Sequence, residues 1–188
     1  IERYLGSPTN SRCVNGIVDM IYGRGLNATD SQEKPEMFGK MEAILRPDDV
    51  RRIANDLKLL GQATIQVVYN KQKNKIVNLL HFPTETLRAE KAKDGKIQGY
   101  YYHPHWTDIK PSDKPKRIPA FGFGRKSETS EIYCVKPYRP GFYYYSPVDY
   151  QGCLQYCNLE EEVSNYHINN IKNGLQPSML LNFNNGIP

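Results

Sequence analysis

The first third of the chain carries apolar residues at helical spacing. Ser7-Pro8 combines a capping hydroxyl with a proline suited to the first helical turn, and Gly23 ends the run that follows. Residues 27–47 are polar and irregular and predict a loop or a short element. A second helix is predicted from Pro47 to Gly61. The apolar faces of the two helices are expected at Cys13, Ile17, Met20 and Ile21, and at Val50, Ile53, Leu57 and Leu60.

After Gly61 the period changes from helical to alternating, which is typical of strands. The first two strands are predicted near residues 63–69 and 76–82. Asp94-Gly95 then favours a hairpin turn, because positive φ angles cost little at these residues. The remaining predictions are hairpin arms at 87–91 and 97–102, a mobile proline-rich excursion at 103–116, and short strands near 117–121 and 131–135.

A long C-terminal helix is predicted from Pro147 to Asn173, since Ser146-Pro147 is a capping signal and Gly174 and Pro177 end the run. At 1.5 Å per residue it would measure about 40 Å. A compact chain of this size is only about 32 Å across, so we expect the helix to protrude or to contact another chain. Its apolar residues form two adjacent stripes, which are Gly152, Tyr156, Leu159, Val163 and Tyr166, and Tyr150, Cys153, Leu154 and Cys157.

Composition places the chain among globular proteins. It has 188 residues, 39% hydrophobic and 24% charged, which predicts one domain or one domain with an appendage and excludes collagen, an isolated coiled coil and wholesale disorder. No apolar run approaches the ~20 residues that span a bilayer, and no leader is evident. Ile1 in place of Met, and a Gly-Ile-Pro end, suggest a piece of something longer.

Charge is unevenly distributed. Residues 88–126 hold ten Lys and Arg against four acids, a net of +6, whereas residues 146–188 hold one Lys against four acids, a net of −3. A basic sector of this kind can contact nucleic acid or an acidic partner, although lysines also keep exposed sheet edges soluble, and we favour the second interpretation. The candidates for contact with nucleic acid or a partner are Lys91, Lys93, Lys96, Lys116 and Arg117.

Candidate catalytic or metal chemistry is sparse. Cys153 and Cys157 are spaced to share a helix face, but no second pair of ligands matches them, so buried reduced thiols are expected. Gly122-Phe123-Gly124 lacks the Lys-Ser/Thr pair and the following helix of a phosphate loop. No Ser/His/Asp order or pair of acids stands out. We therefore expect no catalytic residues, metal or cofactor.

One family resemblance rests on the end of the chain. The segment from Asn165 to Ser178, Asn-Tyr-His-Ile-Asn-Asn-Ile-Lys-Asn-Gly-Leu-Gln-Pro-Ser, closes a long helix that Tyr145-Ser146-Pro147 opens, and residues 180–186 read Leu-Leu-Asn-Phe-Asn-Asn-Gly. Together with the helix-to-strand junction at residues 56–65, this resembles the portal proteins of tailed bacteriophages and prophages. The likeness runs from about Ser7 to the end and is specific at 146–186.

The resemblance implies an α+β fold with an antiparallel, hairpin-rich body like the portal wing at residues 1–145. A stem-like helix would occupy 146–174, and a strand at 175–188 would lead towards a clip-like region that is missing. It also implies a ring, usually of twelve subunits, at a capsid vertex. The stem-like helix would supply subunit contacts, through Tyr150, Cys153, Tyr156, Leu159, Val163 and Tyr166. Glu160, Glu161 and Glu162 would either face the channel or form an ordinary solvated helix face.

By the same resemblance the protein would be a non-enzymatic structural component of a ring, and double-stranded DNA would be packaged and ejected through the central channel of that ring. Its partners would be sister subunits, the major capsid protein, the terminase large subunit and the head-tail connector. It would reside in the virion, after assembly in the bacterial cytoplasm, without a membrane. The competing hypothesis is a single-stranded nucleic-acid-binding module, because tyrosines at 100–102 and 143–145 accompany the basic hairpins and can stack on bases.

Overall fold

A computed structural model describes residues 1–124, 128–174 and 186 of the chain. In this part the fold is α+β, as predicted, with five α-helices and two antiparallel three-stranded sheets. The predicted terminal strand lies outside the described residues, apart from Gly186. The helices are α1 (Glu2–Gly6), α2 (Pro8–Tyr22), α3 (Pro35–Ile44), α4 (Pro47–Leu60) and α5 (Leu154–Lys172). The strands are β1 (Ala63–Tyr69), β2 (Ile76–Phe82), β3 (Leu87–Ala89), β4 (Gly99–Tyr102), β5 (Lys116–Pro119) and β6 (Ser130–Val135).

The first sheet has the order β2-β1-β6, with Ile65 opposite both His81 and Tyr133. The second has the order β3-β4-β5, with Tyr101 opposite Arg88 and Arg117. Asp94 and Gly95 adopt positive φ angles of 50° and 69° between β3 and β4. The hairpin turn predicted from these two residues is therefore confirmed.

Two hydrophobic clusters hold the fold together. Leu87, Ile118 and Ile132 form one, where the two sheets pack against each other, and Phe82 meets Tyr102 edge-on at 5.5 Å between ring centroids. The other joins helices. Val14 and Val18 of α2 pack on Ala54 of α4, with Tyr4, Leu59 and Tyr150 around them.

The predicted apolar face of α2 is wrong in detail. Met20 and Ile21 are exposed, and the buried residues are Asn10, Val14 and Val18, which repeat every four positions. The physical reason is the position of α4, whose Ala54 faces Val14 and Val18. The helix bounds themselves are as expected, because the Ser7 hydroxyl accepts a hydrogen bond from Asn10 N at 3.1 Å and Gly23 caps the other end.

The C-terminal helix is shorter than predicted. α5 begins at Leu154 after a 3₁₀ turn at Gln151–Cys153, and its 19 residues measure about 28 Å. This length does not exceed the width of a compact body, so the expectation of protrusion from length alone is wrong. The predicted start fails because Ser146 does not cap a helix. Its hydroxyl donates to Pro137 O at 3.5 Å and Pro147 O at 3.4 Å and accepts from no following amide, while its own amide donates to the Gln62 side chain at 3.1 Å.

Candidate functional site: the two faces of the C-terminal helix

One face of α5 is attached to the N-terminal helices of the same chain. The Glu160 carboxylate accepts hydrogen bonds from the Ser7 and Thr9 hydroxyls, the second at 2.6 Å, and Glu161 pairs with Arg3 at 3.0 Å. Cys157, one turn earlier, is buried. Residues 157, 160 and 161 share this inner face, because they are three or four positions apart.

The hydrogen bonds from Ser7 and Thr9 hold the pKa of Glu160 below its ordinary value, with the Ser7 bond the larger cause. The Glu160 carboxylate is therefore charged at neutral pH, and its two partners are uncharged hydroxyl groups. Of the three acids predicted to face a channel, Glu160 and Glu161 therefore engage α1 and α2 of their own chain. Glu162 is exposed, and its side chain makes no hydrogen bond or ion pair in the described part of the chain.

The opposite face of α5 is apolar and open to solvent. We call Tyr156, Leu159, Val163 and Tyr166 the outer stripe. Tyr156 is 74% exposed and Tyr166 is 64% exposed. A group of exposed apolar side chains on one helix face is typical of a contact surface. Glu162 borders this stripe, because it lies three and four positions from Leu159 and Tyr166.

The two remaining residues of the predicted interface lie elsewhere. Tyr150 precedes α5 and packs into the helical cluster, where its hydroxyl donates to Leu59 O at 3.0 Å. Burial raises the pKa of Tyr150. Cys153 is exposed, so the expectation of a buried thiol is wrong for this residue, and it lines a cleft of about 420 Å³ with Cys13, Cys157 and Tyr156. No group of three or more His, Cys, Asp or Glu within the described residues is arranged to hold a metal ion.

The basic hairpin and the second tyrosine tract come together in the structure. Tyr143 donates a hydrogen bond to Gly95 O at the hairpin tip, and the hydroxyls of Tyr144 and Tyr145 accept from Ala92 N and Ala89 N at 3.1 and 3.0 Å. Lys91, Lys93 and Lys96 are exposed around the same turn. The sequence suggested each feature separately but gave no sign of their contact.

The other two basic candidates lie on β5. Arg117 forms an ion pair with Glu90 at 2.8 Å, and the hydrogen bond from Arg117 is the main cause that lowers the pKa of Glu90. Lys116 is exposed opposite Tyr102, at the end of β4 away from the hairpin turn. The structure therefore groups the three hairpin lysines but separates Lys116 from them and pairs Arg117 with an acid. The basic residues at 125 and 126 are outside the described residues.

A buried acid was missed by the sequence analysis. Glu131 has no exposed surface, and its carboxylate accepts hydrogen bonds from Tyr69 Oη at 2.7 Å, Gly124 N at 2.7 Å and Gly122 N at 3.1 Å. The Gly-Phe-Gly stretch, which is not a phosphate loop, thus donates its amides to a carboxyl group of the same chain. The two glycines were the signal in the sequence, but nothing local pointed to residue 131.

A groove on the segment between β6 and α5 was also missed. Its volume is about 610 Å³, and it is lined by Ile97, Lys136, Pro137, Arg139, Phe142 and Tyr143, among others. Lys136 donates hydrogen bonds to Tyr143 O and Tyr144 O and so fixes the loop.

Among the described residues, no helix is long and apolar enough for a membrane span.

Comparison with known proteins gives a fold but no family. No protein-family model and no curated protein matches the chain. Solved structures do match. A chain in the neck of an empty gene transfer agent (GTA) particle, determined with C6 symmetry, aligns with a TM-score of 0.70 and 15% identity over 93% of this chain. Chains in the virion of a native GTA particle and in the neck of a native GTA particle, determined with C12 symmetry, each align at 0.69 with 14% identity.

This chain covers 46% of the first neighbour and 44% of each of the other two, so it spans less than half of their length. At 14–15% identity the likeness establishes a shared fold. It also links that fold to chains found within large symmetric particles.

Proposed function

We propose that the chain is part of a portal protein of a phage or phage-like particle. In this proposal it is a non-enzymatic subunit of the ring at the capsid vertex through which double-stranded DNA is packaged and ejected. Residues 1–145 are the wing-like body, and α5 belongs to the first stem-like helix. The ring has sister subunits, the major capsid protein, the terminase large subunit and the head-tail connector as partners, in the virion and in the bacterial cytoplasm during assembly.

The single observation that carries the proposal is the shared fold over 93% of the chain with a chain of a GTA particle neck. GTA particles are phage-like, and the sequence resemblance at residues 146–186 indicates the portal among phage proteins. The open outer stripe supports it independently, since four apolar residues on one helix face favour contact with another subunit. A ring of twelve is compatible with both the C6 and the C12 symmetry with which two of the neighbouring structures were determined.

The net charge of −3 over residues 146–188 is compatible with a channel that DNA must slide through, because a conduit rich in cations would bind the phosphates. Of the three acids predicted to face the channel, Glu162 is the one without a hydrogen bond or ion pair among the described residues, and it lies at the border of the outer stripe. The proposal places Glu160 and Glu161 behind it, bound to α1 and α2.

Electron microscopy and native mass spectrometry of the full-length product test the proposal. We expect rings with a central hole. Val163→Asp should abolish them, because it places a charge in the outer stripe, whereas Asn165→Asp adds the same charge on another side of α5 and should leave rings intact. A full-length product that stays monomeric at all concentrations would refute the proposal.

The second candidate function is a single-stranded nucleic-acid-binding module, and the contact between the tyrosine tract and the basic hairpin is what favours it. The three tyrosine rings stay 37–49% exposed beside Lys91, Lys93 and Lys96, and aromatic rings next to cations bind unpaired bases. This candidate predicts salt-dependent binding of short oligonucleotides that is lost on changing these lysines to Gln. Changing Lys71, Lys73 and Lys75 at the β1–β2 turn removes the same charge and is the matched control.

A further inference from the structure

We propose that the groove at residues 136–143 receives the outer stripe of α5 from a second copy of this chain, with Arg139 of one copy paired to Glu162 of the next. The inference rests on the proposed ring. It names the surface that each subunit offers to its neighbour.

The groove is apolar with an uncompensated positive charge. Its aromatic and aliphatic lining comes from Ile97, Pro137, Phe142 and Tyr143, and a second cleft of about 440 Å³ adjoins it across Lys136, Pro137 and Arg139. The acid in the second cleft, Asp149, is already paired with Lys58. The Arg139 guanidinium makes no hydrogen bond or ion pair with any described residue.

The outer stripe has the complementary composition. It presents two tyrosines, a leucine and a valine, and the acid at its border, Glu162, is unpaired within the described part of the chain. An aromatic and aliphatic ridge with one carboxylate suits an aromatic and aliphatic groove with one guanidinium, because Arg and carboxylate form directed, paired hydrogen bonds.

Ring geometry requires two different patches on each subunit. In a closed ring of more than two subunits every contact is head-to-tail, so the surface that a subunit offers on one side must complement a distinct surface on its other side. The groove and the outer stripe share no lining residue, and both are open to solvent in the described part of the chain. One copy can therefore use both at once, and the chain of contacts continues around the ring.

Charge reversal in the full-length product tests the pairing. Arg139→Glu and Glu162→Arg should each raise the concentration at which half of the subunits are in rings by about tenfold or more, since like charges then meet at every contact. The double variant should return to within about threefold of the wild type. Unchanged melting temperatures show that the single variants are folded.

A mixture of the two single variants distinguishes an Arg139–Glu162 pair between two copies from the same pair within one copy. In an equimolar mixture each groove can meet a complementary stripe on the other variant, so rings should reappear. If the double variant assembles but the mixture does not, the pair lies within one chain and the proposal is overturned.

Three other results are decisive. Single variants that assemble like the wild type overturn the docking but leave the proposed portal function standing. A wild type that never forms rings overturns both. Loss of oligonucleotide binding in Arg139→Glu, with ring assembly unchanged, would assign the groove to nucleic acid and overturn the docking.

Discussion

Gly61 lies directly against Pro147. A Cβ atom built on Gly61 would be 2.6 Å from Pro147 O, and the residue has a φ angle of +78° at the end of α4. Both features require glycine, because a positive φ angle is energetically unfavourable for other residues and the space beside Pro147 has no room for a Cβ atom. This contact, with the hydrogen bond from Ser146 N to Gln62, fixes the segment that leads into α5.

Gly61→Ala should therefore lower the free energy of unfolding by about 2 kcal/mol or more, since about 1–2 kcal/mol arises from the left-handed backbone alone and the close approach adds to it. Urea unfolding measures the loss. Gly16→Ala is the control. It lies in the interior of α2 with no atom within 4 Å of the new Cβ, so it should stabilise the chain by up to about 1 kcal/mol. Equal effects of the two substitutions would contradict this account.

Glu131 should be among the most sensitive residues in the chain. Glu131→Ala leaves the amides of Gly122 and Gly124 and the Tyr69 hydroxyl without their acceptor, at a cost of about 3–5 kcal/mol. Tyr69→Phe removes only one of the three bonds and should cost about 1 kcal/mol. Denaturant unfolding compares both with Glu128→Ala on the exposed surface, which should be nearly neutral. If Glu131→Ala resembled Glu128→Ala, the carboxylate would not be the anchor of this turn.

The parts of the fold that were predictable depend on neighbours in sequence. The Asp94-Gly95 turn, the alternation through β1 and the proline start and glycine end of α4 are local signals, and the structure has each of them in place. Periodicity also placed Tyr156, Leu159, Val163 and Tyr166 on one side of the C-terminal helix, but it wrongly extended the stripes to Tyr150, Gly152 and Cys153, which precede α5.

The errors and omissions arise from contacts between distant segments. Ser146 is a good capping residue, but its hydroxyl donates to Pro137 O and Pro147 O and its amide is held by Gln62, 84 positions away, so no helix starts at this residue. Residue 131 reads as an ordinary strand position until the Gly122–Gly124 turn folds over it. The groove at residues 136–143 depends on Lys136 bonding two carbonyl groups of the tyrosine tract. Residue spacing and secondary-structure propensity do not identify such contacts, because the partners are distant in sequence.

Ser7 has two roles, and a matched pair of substitutions separates them. It caps α2 through Asn10 N and also donates to Glu160, whereas Thr9 only donates to Glu160. Ser7→Ala should lower the free energy of unfolding by about 1–2 kcal/mol, the usual value of a lost cap. Thr9→Ala should cost less than about 0.5 kcal/mol, because its bond is exposed. Similar losses for both, measured in urea, would mean that the cap contributes little.

The attachment of α5 to α2 should weaken in acid. Hydrogen bonds from Ser7 and Thr9 lower the pKa of Glu160 in the folded chain, so the unfolded chain binds this proton more readily. The stabilisation is thus complete above the ordinary carboxylate pKa of 4.5 and is lost over the acid range below it, as the pH falls through the lowered folded value.

Melting temperatures across this range, compared between the wild type and Glu160→Gln, check the sign. The variant should melt lower at neutral pH, and the difference should shrink on acidification because the wild-type carboxylate then becomes protonated. Glu33→Gln is the control. Its exposed side chain has no hydrogen bond or ion pair within the described ranges, so its small difference from the wild type should not change with pH. A Glu160→Gln difference that stayed constant down to pH 3 would show that the charged form of Glu160 has no special role in attaching α5.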